Sequence, residues 1–248
     1  MTIRATKPWC RFFGLALLAA TTFSLGASTA LAADPTNGTG YVKVARPQNV
    51  EGGSKVDVTE FFSFHCPHCY VLDPTLEAWA ARHKTDVRFT RVHVAWGEDG
   101  SSTQRTLRAL QRSYYTLSAL GKEAQFHKKL FATFQSGRVP LYSDDEVTAF
   151  LVKEGVDRTK YLAAAHSFTV ESNMQRALQA MKIYALSGVP NLVVDGRFVT
   201  SPSLASLAAA GASEQADDAS AIKVLDQLVA AVKSERPAAT PTRPVKKK

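Results

Sequence analysis

The first apolar pattern that reads as folded structure is residues 55–64, where alternation over Val56 and Val58 passes into the run Phe61-Phe62. Such a segment suits a central strand covered on both faces. Residues 67–82 follow with Leu72, Leu76 and Trp79 at helical spacing; Pro67 suits the first helical position, and Pro74, inside the helix, predicts a kink. Residues 87–94 alternate again, with Val87, Phe89, Arg91 and His93 on one face. Strand, helix and strand in this length make a βαβ unit. The next stretch is helical throughout. Residues 103–120 and 123–134 are amphipathic, Ser143-Asp144-Asp145-Glu146 forms a capping box, Asp157 can cap a short helix, and 169–186 reads as a long one. Strand signals return at 191–194 and 197–200, joined by Asp195-Gly196, a favoured two-residue hairpin turn. A last amphipathic helix over 219–233 aligns Ile222, Leu225, Leu228, Val229 and Val232. The sheet's strands are thus split by a helical insertion.

Residues 1–32 have another character. Arg4, Lys7 and Arg11 precede an apolar core over 12–25, and Ala30-Leu31-Ala32 fits a small-residue cleavage site, so a secretory signal peptide is expected with the mature chain starting at Ala33. The core is short for a bilayer span and broken by Thr21, Thr22 and Ser24. Export to an oxidising compartment follows, in which disulfides persist. Of the formal charge of +8, three positive charges lie in the leader and five in residues 236–248 (Arg236, Arg243, Lys246, Lys247, Lys248), and 33–235 balances to zero. A nucleic-acid-binding face is not indicated. The basic tail, with Pro237, Pro241 and Pro244, is expected to be disordered.

The chemistry concentrates in His65-Cys66-Pro67-His68-Cys69. Of three cysteines, Cys10 leaves with the leader, so Cys66 and Cys69 are the mature chain's only thiols. Cys66 falls at the predicted helix start, where unpaired N–H groups and the helix dipole favour a thiolate, and His68 adds positive charge when protonated. Cys66 is therefore the candidate nucleophile, with Cys69 one turn on as resolving thiol. Half of a zinc site and an inert structural disulfide are the alternatives; a closed zinc site needs four ligands, and no second cysteine pair exists. His83, His127 and His166 read as helix-surface residues.

Glu60-Phe61-Phe62-Ser63-Phe64, the Cys66-Pro67-His68-Cys69 motif, the helical insertion and Gly188-Val189-Pro190 before the hairpin together resemble the periplasmic thiol:disulfide oxidase (DsbA) family of the thioredoxin fold. The resemblance implies an α/β thioredoxin-like fold with a helical insertion subdomain: a first thioredoxin-like part over 33–100, the insertion over 101–170, and a second part over 171–235 with Pro190 as a cis-proline. It also implies an exported, periplasmic oxidase that donates the Cys66–Cys69 disulfide to cysteine pairs of secreted, still unfolded proteins. No other cofactor and no metal are implied, and a DsbB-like membrane quinone reductase would reoxidise the pair. Catalysis is assigned to Cys66, Cys69, His68 and Pro67, and substrate binding to Val189, Pro190 and His65. Glu60 matches the family's carboxylate beneath the active site. Its family partner is lysine, and here it is Arg91, which cannot relay a proton, so a plain buried ion pair is an equal reading. His93 matches a family histidine and also fits an ordinary, satisfied core histidine.

Two other functions compete. Homodimeric isomerases carry a dimerisation domain ahead of the thioredoxin part, and 33–50 is too short for one; a monomer is expected. A peptide-binding chaperone using the groove near Pro190 would keep its action in a Cys66→Ser variant.

Overall fold

The strand Val56–Phe62 has almost every side chain buried, and the rest of the molecule is arranged around it. In this computed structural model, residues 40–51, 53–97, 100–208 and 214–236 are described. The expected leader and residues 237–248 lie outside them. In chain order the elements are β1 (Tyr41–Lys43), β2 (Val56–Phe62), α1 (Pro67–Arg82), β3 (Val87–His93), α2 (Ser102–Ala119), α3 (Glu123–Ser136), α4 (Asp144–Lys153), α5 (Arg158–Ala165), α6 (Phe168–Ile183), β4 (Asn191–Val194), β5 (Phe198–Thr200), α7 (Pro202–Ala208) and α8 (Glu214–Glu235). Strand order is β1-β5-β4-β2-β3. β2 and β3 are parallel, with Glu60 opposite Arg91 and Phe62 opposite His93, and β4 is antiparallel to β2. Five helices, α2 to α6, enter the chain between β3 and β4.

Two cores result. Val56 and Val58 pack with Leu72, Leu76 and Trp79 of α1 and with Leu225, Leu228 and Val232 of α8. The other core joins Phe61, Phe62 and Phe64 to α2, α3 and α6, and Cys66 and Cys69 belong to it. Cys66 and Cys69 therefore sit at the seam between sheet and insertion. Among the described residues no helix is long and apolar enough to cross a membrane.

Local chemistry explains the ends of these elements. Ser101, Ser143, Asp157 and Ser167 cap α2, α4, α5 and α6 with side-chain oxygens that accept from N–H groups of the first turn. α1 continues through Pro74 without a break. At the hairpin, Asp195 and Gly196 have φ of 54° and 63°, and the Arg197 N–H closes the turn on the Val194 carbonyl at 3.0 Å. Both central residues being left-handed fits a turn that matches strand twist.

β1 and α7 carry no prediction from sequence, since three residues show no period and 202–208 is a run of small residues between longer elements. Arg236, the first residue of the expected disordered tail, is anchored, its Nη1 donating to the Lys55 carbonyl at 2.7 Å and its Nη2 pairing with Asp195.

Candidate active site

Cys66 is the N-cap of α1, with φ −84° and ψ 115°, and Pro67 opens the helix behind it. Proline suits this place because the N–H it lacks would have no helical partner. The Cys66 Sγ accepts the Cys69 N–H at 3.3 Å and lies 3.5 Å from the Val189 carbonyl oxygen. Cys66 keeps slight exposure and Cys69 has none. Both are free thiols in this structure.

The two thiols are driven apart electrostatically. Cys66 is lowered from 9.0 to about 7, first by a hydrogen bond from Cys69, against the cost of burial, with help from the backbone N–H groups of Cys69 and His68 and from the His68 charge. Cys69 is pushed well up, by burial first and then by its bond to Cys66. One sulfur can be a thiolate near neutrality while the other keeps its proton, a division suited to thiol–disulfide exchange.

A cleft of about 480 Å³ runs beside the pair, lined by His68 and Val71 of α1, the segment 184–191 and residues 201–204. Val189–Pro190 is cis. His68, Val189 and Pro190 thus meet at one wall of the cleft. His65 does not line the cleft; its ring lies 5.2 Å from that of Phe134 on α3.

Beneath Cys69 lies an ionic network. Glu60, 1% exposed, accepts from Arg91 Nε at 2.9 Å, and Arg91 Nη2 reaches Asp73 at 3.0 Å. Burial raises the Glu60 pKa even though Arg91 pulls it down. Glu60 Oε1 has no hydrogen-bond partner among the described residues. His93 is fully buried and accepts the Phe64 N–H at Nε2, 3.0 Å away; burial drives its pKa well below the usual histidine value. It is a neutral brace under the segment leading to Cys66.

Sequence reasoning misplaced His127. Far from the helix surface, it is 2% exposed, with Nε2 2.8 Å from Asp73 Oδ1. The signal was available: Phe126, Leu130 and Phe131 mark the buried stripe of α3, and His127 falls three and four residues before the last two. Asp73 was missed in the same way, four residues after Cys69 on the inner face of α1. His83 is half-buried, stacked on Trp79 and beside Asp226, whereas His166 is exposed. Asp73, Glu77 and His127 hold ligand atoms close enough together for a metal ion. Arg91 Nη2 is already 3.0 Å from Asp73 and 3.8 Å from Glu77, so a fixed cation competes for that place.

Residues 57–212 match the family model of the DSBA-like thioredoxin domain. The chain belongs to this family. The thiol:disulfide interchange protein DsbA of Bordetella parapertussis is 33% identical over 219 residues, covering 88% of this chain and 94% of that protein. The crystal structure of Pseudomonas aeruginosa DsbA superposes with a TM-score of 0.69 at 28% identity, over 82% of this chain and 97% of the other. The structure of a cysteine-to-serine variant of a Proteus DsbA in complex with the non-covalently bound peptide PWATCDS gives a TM-score of 0.60 at 25% identity, over 80% of this chain and 100% of that one. Like the DsbA proteins, this chain is a thiol:disulfide oxidoreductase, a disulfide oxidase of oxidative protein folding.

Proposed function

We propose that Cys66 and Cys69 are the working pair and that their disulfide is passed to cysteine pairs of exported proteins. A client thiolate attacks the Cys66 sulfur; the Cys66–Cys69 bond breaks, and its electron pair leaves on Cys69, which takes up a proton. A second client thiolate then attacks the client sulfur of the mixed disulfide and releases Cys66 as thiolate. The client gains one disulfide and the protein is left as a dithiol. The lowered pKa of Cys66 supports the second step, because a thiol of low pKa leaves faster.

The observation that carries this reading is the Cys66 sulfur at the helix start, 3.5 Å from the Val189 carbonyl on the cleft wall. An extended client strand laid along 188–190 brings its cysteine to that sulfur. The Proteus DsbA bound to a cysteine-containing peptide supports a peptide as the occupant. His68 contributes positive potential, and Pro67 fixes the helix start. With the leader read in 1–32 the protein acts in the periplasm as a monomer, and a quinone-coupled membrane protein of the DsbB kind reoxidises it.

The test mixes oxidised protein with a reduced two-cysteine peptide. One peptide disulfide should form per protein. Cys66→Ser should abolish transfer, and Cys69→Ser, preloaded as a mixed disulfide with glutathione, should take up a one-cysteine peptide and hold it on Cys66. Peptide oxidation by Cys66→Ser at the parent's rate would remove this pair from the reaction.

A further inference from the structure

His127 belongs to the helical insertion, yet it faces the charges under the cysteines. Its Nε2 is 2.8 Å from Asp73 Oδ1, and its Nδ1 is 3.1 Å from Glu123 Oε1, off the line of a good hydrogen bond. A neutral imidazole has one N–H, so its other nitrogen would turn a lone pair toward a carboxylate oxygen. Two carboxylates on two nitrogens call for the imidazolium. The rings of Phe62, Phe64 and Phe131, centred 5.3, 5.5 and 5.1 Å away, keep solvent from the group. Burial opposes the charge, but the hydrogen bond to Asp73 and the Glu123 carboxylate close by outweigh it and hold the His127 pKa above its ordinary value.

The other charges around it come from every neighbouring element. α1 supplies Asp73 and Glu77, β2 supplies Glu60, β3 supplies Arg91 and the neutral His93, and α3 supplies Glu123 and Lys128, which pairs with Glu77 at 2.6 Å. Asp73 Oδ1 is shared between Arg91 and His127. Four carboxylates therefore face three cations, of which His127 is one.

We propose that His127 is a positioning residue of the dithiol site: clamped between Asp73 and Glu123 as a cation, it shares the Asp73 charge with Arg91, whose Nε serves Glu60 beneath Cys69. The idea rests on Cys66 and Cys69 being the redox pair. Without the imidazolium, Arg91 must serve two buried carboxylates alone, and the added negative potential disfavours a thiolate at Cys66.

His127→Gln keeps a hydrogen-bond donor and removes the charge. The Cys66 thiolate, followed by ultraviolet absorbance, should then form about half a pH unit higher. The same change should move the equilibrium with glutathione toward the protein disulfide by about threefold at pH 9 and about 1.5-fold at pH 7. In an Asp73→Asn background the substitution should have no further effect, since the route runs through Asp73. His127→Asn, a shorter neutral side chain, should shift both readings the same way. A folded His127→Gln protein whose titration and glutathione equilibrium match the parent's overturns the proposal; if that variant does not fold, unchanged readings for His127→Asn overturn it. An imidazole of His127 that titrates by NMR below pH 6 in the parent overturns it as well. Should the parent fail to oxidise the two-cysteine peptide, the redox reading falls, while the NMR titration still reports the clamp by itself.

Discussion

Cys66 makes the stability of the reduced protein depend on pH, and the sign follows from its two pKa values. The folded value of about 7 lies below the unfolded 9.0, so the folded state gives up the proton first. The resulting stabilisation is fully present above the unfolded value and is lost as pH falls through the folded one. Two pH units correspond to about 2.7 kcal/mol. Because the sulfur borders an open cleft, solvent screening reduces this to about 1–2 kcal/mol. At pH 7 half of the folded thiols are ionised, which amounts to about 0.4 kcal/mol before screening. Most of the gain therefore develops between pH 7 and 9. Cys66→Ala isolates it, because Cys69 remains in both proteins and its tightly held proton acts in the opposite sense at high pH. Urea unfolding of the fully reduced parent and of Cys66→Ala, at unit steps from pH 6 to 9, should show their stability difference shifting by 1–2 kcal/mol in the parent's favour. A difference that stays level or moves toward the variant would falsify the thiolate argument. The oxidised form has no thiolate to stabilise, so the same free energy favours the dithiol and makes the disulfide a ready donor.

Other substitutions test other parts of the frame. Arg91→Met leaves Glu60 and Asp73 buried without their shared cation and should cost about 3–5 kcal/mol in urea unfolding, with Arg91→Lys intermediate because an ammonium cannot serve both carboxylates as a planar fork does; a loss below about 1 kcal/mol would show that water reaches the network. His93→Leu strands the Phe64 N–H and should cost about 1–3 kcal/mol. That cost should shrink by about 2 kcal/mol from pH 8 to 5, since the unfolded chain's histidine takes up a proton that the buried, neutral His93 does not; a cost that stays level or grows as pH falls means it carries charge in the fold. Gly196→Ala places a Cβ against the Gln48 carbonyl at φ 63° and should lower the thermal midpoint by the equivalent of about 1–2 kcal/mol. An unchanged midpoint would mean that residues 46–50 move aside freely.

How much of this was legible in the sequence differs from residue to residue. The start of α1 was plain, because a cysteine followed by proline states in one dipeptide where helical φ begins. The Asp195-Gly196 turn was equally plain, since its dihedral angles restrict the residues that can occupy it. The βαβ unit and the inserted helices followed from their periods. The charged floor of the site was only half legible. Glu60 and Arg91 came from family resemblance, whereas Asp73 and His127 were passed over because their residue types argue for the surface while their positions, on the buried stripes of α1 and α3, argue for the interior. Position decides when a partner waits inside. His65 shows the converse limit: adjacency in sequence to Cys66 does not fix the side of the helix start on which a loop side chain lies.

The bond between the Cys66 sulfur and the Val189 carbonyl spans 123 positions of chain. A ribosome finishes the helix that carries both cysteines long before it makes the wall they work against. During that interval β2 has β3 to pair with but lacks β4, its neighbour on the other side, so both cysteines are made before the segments that line the cleft. A chain cut short before residue 184 would carry the two sulfurs without the cleft wall that residues 184–191 and 201–204 supply.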